Sequence, residues 1–321
     1  MTEPVEGDQP NLSQALEILR GDTHSHLRRG IEALEFAIEA KEPDASCLLA
    51  VFAATGIGIP KSWPRALDLL LDGARAGSSS GRKQLALLAE AGNSESLADA
   101  GDSRIWRRLR DSISLERWTA PPDRRVLCKA PVVVAISGFL SREVCNWLVG
   151  RAADRLRPAL LYGGQSTSPQ RSAARTNSAF EIDVLDFDLV ILMVRARIAA
   201  TLGVPVRALE PPQVMHYEVG EEFAPHRDFL APELPGHAAD IARQGQRIVT
   251  FLIYLNSEFE GGETDFPVLA LAYKGGTGDA LYFGNVDSAG VPDPRTLHAG
   301  LPPTRGEKWL FSQWVRDRVR A

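Results

Sequence analysis

The chain has 321 residues, 44% hydrophobic and 24% charged, with 36 basic against 41 acidic side chains for a formal net charge of −5. That length accommodates two domains, and that balance argues against a broadly basic nucleic-acid binder. No run approaches the ~18 apolar residues a membrane span requires, and the opening MTEPVEGDQPNLSQ lacks the cationic, apolar pattern of a signal peptide, so the expectation is a cytoplasmic protein without a membrane partner.

From about 11 to 118 the pattern is helical. Leu67, Leu70, Leu71 and Ala74 recur at i, i+3, i+4 and i+7, and Leu85, Leu88 and Ala89 repeat the spacing. Ser62 is placed to cap a helix, with Pro64 in its first turn where a missing donor costs little. Ala33-Leu34 recurs as Ala66-Leu67, and Leu48-Leu49-Ala50 as Leu87-Leu88-Ala89, which suggests paired helices. Two repeat units are too few to bury their own faces, so this segment is expected to dock on the domain that follows it or on a second protein. Residues 77–81, GSSSG, lack the strand-turn-helix setting of a nucleophile elbow and read as a loop. The stretch 104–125 carries seven Arg against three acids and reads as a solvated helix face leading into a linker at Pro121 and Pro122. Cys47, Cys128 and Cys145 are too few and too widely spaced for a disulfide framework or a zinc cluster, and His24 and His26 read as surface residues.

Beyond the linker, 131–136 reads as a strand, 141–156 as a helix capped by Ser141, and 185–202 as a second helix. From 213 onward short strands alternate with Gly and Pro turns, with 275–278 read as a hairpin turn. The run 247–255, RIVTFLIYL, is apolar throughout its middle, as in a central strand buried on both faces. The long connection 229–246 reads as a mobile lid.

Within this region His226 and Asp228, two apart in a strand, share a face. His298, in the turn-bounded run TLHAGL, is a candidate third ligand if a neighbouring strand brings it close. Two histidines and a carboxylate form the facial triad of non-haem Fe(II) oxygenases, although a lone His-x-Asp pair fits two solvated loop residues equally well. Ten residues after His298, the run KWLFSQW has a period of two that puts Lys308, Leu310, Ser312 and Trp314 on one face. An inward Lys308 implies an anionic ligand, because a buried unpaired ammonium is costly; a snorkelling surface lysine is the alternative. His216, next to Tyr217, points away from any pocket that Tyr217 faces and reads as a packing residue.

The stretches GFLSREVCNWL (138–148), ARTNSAF (174–180), QVMHYEVGEEFAPHRD (213–228), GQRIVTFLIYLN (245–256), FEGGETDF (259–266), KGGTGDALYF (274–283) and TLHAGLPPTRGEKWLFSQW (296–314) occur in an order and at spacings that cover about 130–318. In these the chain resembles the prolyl 4-hydroxylase branch of the Fe(II)/2-oxoglutarate-dependent dioxygenases. The N-terminal string ASCLLAVFAATGIGIPKSWPRALDLLLDGARAG is similar to SEL-like, tetratricopeptide-like repeats, although an ordinary helical bundle fits it equally well.

The resemblance implies an α+β chain: a double-stranded β-helix, or jelly roll, oxygenase domain over 121–321 with its core at 213–318, preceded by an all-α helical-repeat region over 1–120. It implies His226, Asp228 and His298 as iron ligands and Lys308 as partner of the distal carboxylate of 2-oxoglutarate. Tyr217, Tyr254 and Thr250 would line the cosubstrate pocket. Arg247 would anchor substrate and Trp314 would wall a prolyl ring, while Phe223 stands where peptide-hydroxylating relatives often carry Tyr. The implied activity is hydroxylation of an unactivated C–H bond, with O2 as second cosubstrate and ascorbate as an accessory. The expected substrate is a prolyl or other residue of a protein or peptide recruited by the helical repeats. A small-molecule hydroxylase and a non-catalytic iron/2-oxoglutarate-binding sensor or scaffold stay open; the intact His226, Asp228, His298 and Lys308 count against the last.

Overall fold

The computed structural model describes residues 10–21, 23–90, 103–161 and 170–319. It divides into two compact units, 1–118 with 184–194, and 119–183 with 195–321.

In the first unit, helices α1 (Leu12–Leu19), α2 (His24–Glu39), α3 (Pro43–Thr55), α4 (Trp63–Ala76) and α5 (Ser79–Leu88) are followed by α6 (Ser103–Ser112) and α7 (Leu115–Thr119). Successive helices from α1 to α5 pack on one another. The starts follow from side chains that accept orphan amide hydrogens: Asn11 forms a capping box on α1, Thr23 caps α2, and Ser62 accepts from Arg65 with a proline in the first turn of α4. Helices α3 and α4 end on Gly56 and Gly77 with left-handed φ of 79° and 109°, a conformation that favours glycine. The recurring pairs Ala33-Leu34 and Ala66-Leu67 fall on alternate helices, α2 and α4, and all four are buried. Residues 77–81 are not the expected loop: Ser78 caps α5 by accepting from Gly81, and the helix starts at Ser79. His24 and His26 open α2 and are exposed.

The segment 184–194 clusters with these helices although it lies far along the chain. Leu185 packs against their apolar core and the Leu189 amide donates to Gln84 Oε1 at 3.0 Å. The helical unit thus includes a return segment from well beyond residue 120.

The second unit holds the strands β1 (Arg125–Lys129), β2 (Val132–Ile136), β3 (Arg157–Pro158), β4 (Ser178–Glu181), β5 (Gln213–Tyr217), β6 (Phe223–His226), β7 (Arg247–Tyr254), β8 (Glu260–Gly261), β9 (Thr264–Phe266), β10 (Leu271–Tyr273), β11 (Ala280–Gly284), β12 (His298–Gly300), β13 (Pro303–Arg305) and β14 (Lys308–Arg316). They form an eight-stranded sheet in the order β1-β2-β11-β7-β14-β5-β4-β3, a four-stranded sheet β10-β9-β12-β6, and the pair β13-β8. Every pairing is antiparallel, and the two larger sheets give the α+β jelly-roll core. β10 and β11 belong to different sheets, so Gly275–Gly278 carries the chain across the sandwich and is not the expected hairpin turn. β7 is central, buried from Thr250 to Tyr254 on both faces: Leu252 and Tyr254 join the core between the sheets, while Phe251 meets Phe139 at a ring separation of 5.0 Å.

Helix α8 (Arg142–Ala152) is capped by Ser141, and α9 (Leu189–Leu202) starts four residues later than the sequence pattern suggests. The connection 229–246 is tied rather than loose. It carries α10 (Pro235–Gln244), and Gln246 exchanges two hydrogen bonds of 2.7 Å with the backbone of Leu230. A buried ionic knot holds this end of the barrel: both oxygens of Glu210 accept from Arg247 at 2.8 and 3.0 Å, Glu210 also accepts from Arg316, and Arg316 donates to Asp240 of α10 at 2.7 Å. Burial alone would raise the Glu210 pKa, but Arg247 and then Arg316 more than reverse this and hold it below the usual carboxylate range. Among the described residues no helix is long and apolar enough to cross a membrane.

Removing one partner of such a knot strands a buried charge, so Glu210→Gln should lower unfolding stability by about 3 kcal/mol in urea titrations of the whole chain. Because the folded pKa is depressed, this stabilisation is present above the unfolded value of about 4.3 and fades as pH falls below it. The wild-type advantage over Glu210→Gln should therefore shrink toward pH 3, and a pH-independent gap would deny the ionic role. A fragment of residues 1–118, lacking 184–194, should unfold without a cooperative transition by circular dichroism.

Candidate active site

One cavity between the sheets collects side chains from both. The register explains the gathering. β12 pairs with β6 so that His298 stands directly opposite His226, and β14 pairs with β5 so that Lys308 stands opposite Tyr217. On the other edge of β14, Trp314 is opposite Thr250 of β7. Lys308, Leu310, Ser312 and Trp314 all line the cavity, as the period of two requires. β6 ends at His226, so Asp228 lies in the following turn, where Thr250 Oγ1 donates to its Oδ2 at 2.7 Å.

Ligand atoms of His226, Asp228 and His298 lie within 4.8 Å of one another. His226 Nε2 is 3.6 Å from Asp228 Oδ1, and His298 Nε2 is 3.5 Å from Asp228 Oδ2. Each ring is fixed from behind: Nδ1 of His226 meets the Ala224 carbonyl at 2.8 Å and Nδ1 of His298 the Thr296 carbonyl at 2.9 Å. A carbonyl only accepts, so Nδ1 carries the hydrogen and each Nε2 presents its lone pair to the centre. Burial, reinforced by His298, pushes His226 down to about 3, so its imidazole stays neutral near pH 7. Burial would raise Asp228, but His298, His226 and the Thr250 hydroxyl hold it well below the usual carboxylate range. Two imidazoles and one carboxylate facing inward form a donor set suited to a divalent first-row metal.

Deeper in the cavity Lys308 is 0% exposed, and its Nζ has no hydrogen-bond partner among the described residues. It lies 4.8 Å from the centre of the Tyr217 ring, and burial lowers it to about 7 against a smaller upward pull from Glu263. Its stem is closely packed: a Cβ built on Gly262, whose φ is +70°, would lie 3.3 Å from Lys308 Cδ and 2.8 Å from Phe259. An unsatisfied ammonium lining this cavity matches an anionic ligand that brings its own acceptors.

Comparison with known proteins agrees. Residues 212–316 match the family described as the 2OG-Fe(II) oxygenase superfamily. Probable prolyl 4-hydroxylase 6 of Arabidopsis thaliana is 32% identical across 59% of this chain and 70% of its own length. The chain belongs to the 2OG-Fe(II) oxygenase superfamily. Prolyl 4-hydroxylase 1 of the same plant is 29% identical over 68% of this chain and 80% of its own length. A crystal structure of the viral collagen prolyl hydroxylase of Paramecium bursaria Chlorella virus-1, in its 2OG complex, aligns with a TM-score of 0.46 and 26% identity over 59% of this chain and 98% of that one. The oxygenase is accordingly a 2-oxoglutarate-dependent dioxygenase that uses Fe(II), 2-oxoglutarate and O2.

The remaining expected site residues divide. Phe223 stacks on His226 with ring centres 3.4 Å apart and lines the cavity, as do Tyr217 and Thr250. Tyr254 sits one layer back: its hydroxyl meets Thr264 Oγ1 and donates to the Tyr273 carbonyl, both at 2.9 Å, and Thr264 is the side chain that reaches the cavity. Arg247 donates through Nε and Nη2 to Glu210 and lies 3.6 Å over the Trp314 ring, so it holds the wall in place. His216 points outward onto Trp309 and Glu307, as a packing residue should.

Two polar residues escape sequence reasoning. Asn285 donates to Thr250 Oγ1 at 3.0 Å and so orients the hydroxyl that holds Asp228. Arg175 lies 4.6 Å over the Phe223 ring and completes a stack ending at His226. Only the quoted stretch ARTNSAF hints at Arg175, and nothing in the sequence marks Asn285.

Thr250→Val deletes the hydroxyl between Asn285 and Asp228. It should weaken Fe(II) affinity by about 10- to 100-fold in anaerobic titration, as loss of an outer-shell partner does. Unchanged affinity would reduce this hydrogen bond to packing.

Proposed function

We propose that His226, Asp228 and His298 hold the Fe(II), that Lys308 binds the distal carboxylate of 2-oxoglutarate, and that the substrate is a prolyl residue of a polypeptide. The observation that carries the cosubstrate assignment is Lys308: a buried ammonium without a hydrogen-bond partner, in the same cavity as three convergent metal-ligand side chains. Iron and 2-oxoglutarate supply oxidative decarboxylation to succinate and CO2, coupled to hydroxylation of an unactivated C–H bond.

The chain's own residues supply placement. Asp228 contributes charge, held by Thr250, and the two imidazoles contribute lone pairs fixed by backbone carbonyls. Tyr217 forms a wall against Lys308, and burial pushes its hydroxyl up to about 12, so it stays a neutral donor. Gly300 leaves room for it, since a Cβ there would lie 3.3 Å from the Tyr217 hydroxyl oxygen. Phe223 and Trp314 are apolar surfaces on the approach to the histidines, suited to a pyrrolidine ring. The prolyl assignment draws on the relatives, which are described as prolyl 4-hydroxylases. In this reading the helical unit recruits the polypeptide, and its exposed Phe36 and Ile57 are apolar side chains that it offers.

Lys308→Met should raise the KM for 2-oxoglutarate by about 100-fold in a succinate assay, the size of a lost buried charge-assisted contact. An unchanged KM removes Lys308 from the cosubstrate site. With Lys308 near 7 in the free protein, the ammonium is charged below that pH, and binding above it must take up a proton. The wild-type Kd should therefore rise about tenfold per pH unit above 7, with calorimetric proton uptake that Lys308→Met lacks.

A further inference from the structure

Among the described residues that line the iron pocket, two carry a buried nitrogen without a hydrogen-bond partner: Lys308 Nζ and Trp314 Nε1. The ammonium has its place in the cosubstrate reading. The indole N–H has none there. It can only donate, and a buried indole N–H ordinarily finds an acceptor.

The ring is held where it stands. The Trp314 carbonyl accepts from the Glu210 amide and from Gln313 Nε2, both at 3.0 Å, which fixes the backbone. Arg247 lies 3.6 Å over the ring, and Glu210 holds that guanidinium through two hydrogen bonds of 2.8 and 3.0 Å. Nearby acceptors are in use. Thr250, directly opposite Trp314 in the sheet, donates to Asp228 and accepts from Asn285, while Glu210 accepts from Arg247 and Arg316.

Trp314 also lines a second cavity, of about 470 Å³, beside α10, and so forms a wall that the two cavities share. That volume lies within the ~300–1,000 Å³ range of ligand pockets. Its described lining holds three carboxylates, of Glu181, Glu210 and Asp240, and three guanidinium groups, of Arg243, Arg247 and Arg316. All three guanidinium groups are ion-paired with Glu210 or Asp240. A ligand carboxylate meets no unmatched guanidinium there, so a neutral carbonyl is the better acceptor for the indole.

We propose that Trp314 Nε1 donates to a backbone carbonyl of the polypeptide substrate beside the hydroxylated position, and that the substrate continues from there into the cavity beside α10. The inference rests on the polypeptide-hydroxylase reading and adds to it a specificity-determining hydrogen bond. A prolyl residue in a peptide has a neutral amide carbonyl on each side, whereas free proline has only a carboxylate.

The test uses the whole chain with Fe(II), 2-oxoglutarate and O2, and a panel of uncharged peptides with one proline each. Hydroxylation is read as the mass gain of one oxygen. Replacing Trp314 by benzothienylalanine keeps the fused ring and puts sulfur in place of N–H. It should lower peptide kcat/KM about tenfold, the scale of one lost buried hydrogen bond, and leave the KM for 2-oxoglutarate unchanged. Ala239→Trp, which fills the cavity beside α10 from an exposed position, should raise the peptide KM and also leave that for 2-oxoglutarate unchanged. In nitrogen-labelled wild type, with Zn(II) in place of Fe(II) to stop turnover, the Trp314 indole resonance should move downfield when a hydroxylated peptide's unmodified form is added. Its assignment comes from its loss in Trp314→Phe. Full kcat/KM with benzothienylalanine, or an indole resonance that peptide does not move, overturns the hydrogen bond. An unchanged peptide KM in Ala239→Trp overturns the route beside α10. These outcomes leave the polypeptide reading standing, whereas hydroxylation of free proline and of no peptide overturns both.

Discussion

An ammonium in a dry interior costs several kcal/mol unless a neighbour shares its charge. Lys308 accepts that cost within the fold, where Glu263 gives only a weak electrostatic pull and the Tyr217 ring lies 4.8 Å from its Nζ. The surroundings keep it there. β14 is hydrogen-bonded on both edges, to β5 and β7, so the strand cannot roll its inward face toward water. Glycines at 262 and 300 let backbone close over the lysine stem and the tyrosine hydroxyl. In the proposed reading, the stability surrendered at this point is what a dianionic cosubstrate would return on binding.

The same strand carries a second buried cation at its other end, solved differently. Arg316 is matched by Glu210 and Asp240, and Arg247 completes the set from β7. Where the charges balance inside the protein, they fasten α10 and the wall at Trp314. At Lys308 they do not balance, and that end is the proposed cosubstrate site. One strand thus separates structural from ligand-binding electrostatics by its two termini, and the metal-ligand side chains approach from the opposite sheet.

Much of this was legible in the chain. The period of two from Lys308 to Trp314 identified the inward face, and the spacing of His226 and Asp228 identified two groups that point together. Capping residues at 62 and 141 marked helix starts because a hydroxyl before an apolar run has a local job. Periodicity reveals which face a side chain takes but not what stands across from it. For that reason Arg247 read as a substrate anchor, although a carboxylate 37 residues earlier already occupies it. Tyr254 read as a pocket residue for the same reason, although Thr264 stands in front of it. Asn285 was invisible because its partner comes from 35 residues earlier, across the β7–β11 pairing.

The helical unit is completed by residues 184–194, which arrive long after α7 has been made. During synthesis the N-terminal helices therefore leave the ribosome without the segment that supplies Leu185 and the Leu189 amide to them. At roughly 5–20 residues per second, the interval lasts several seconds. Over that time apolar helix faces stand open to solvent or to a chaperone, so vectorial folding in this chain must be contingent on sequence that has yet to emerge.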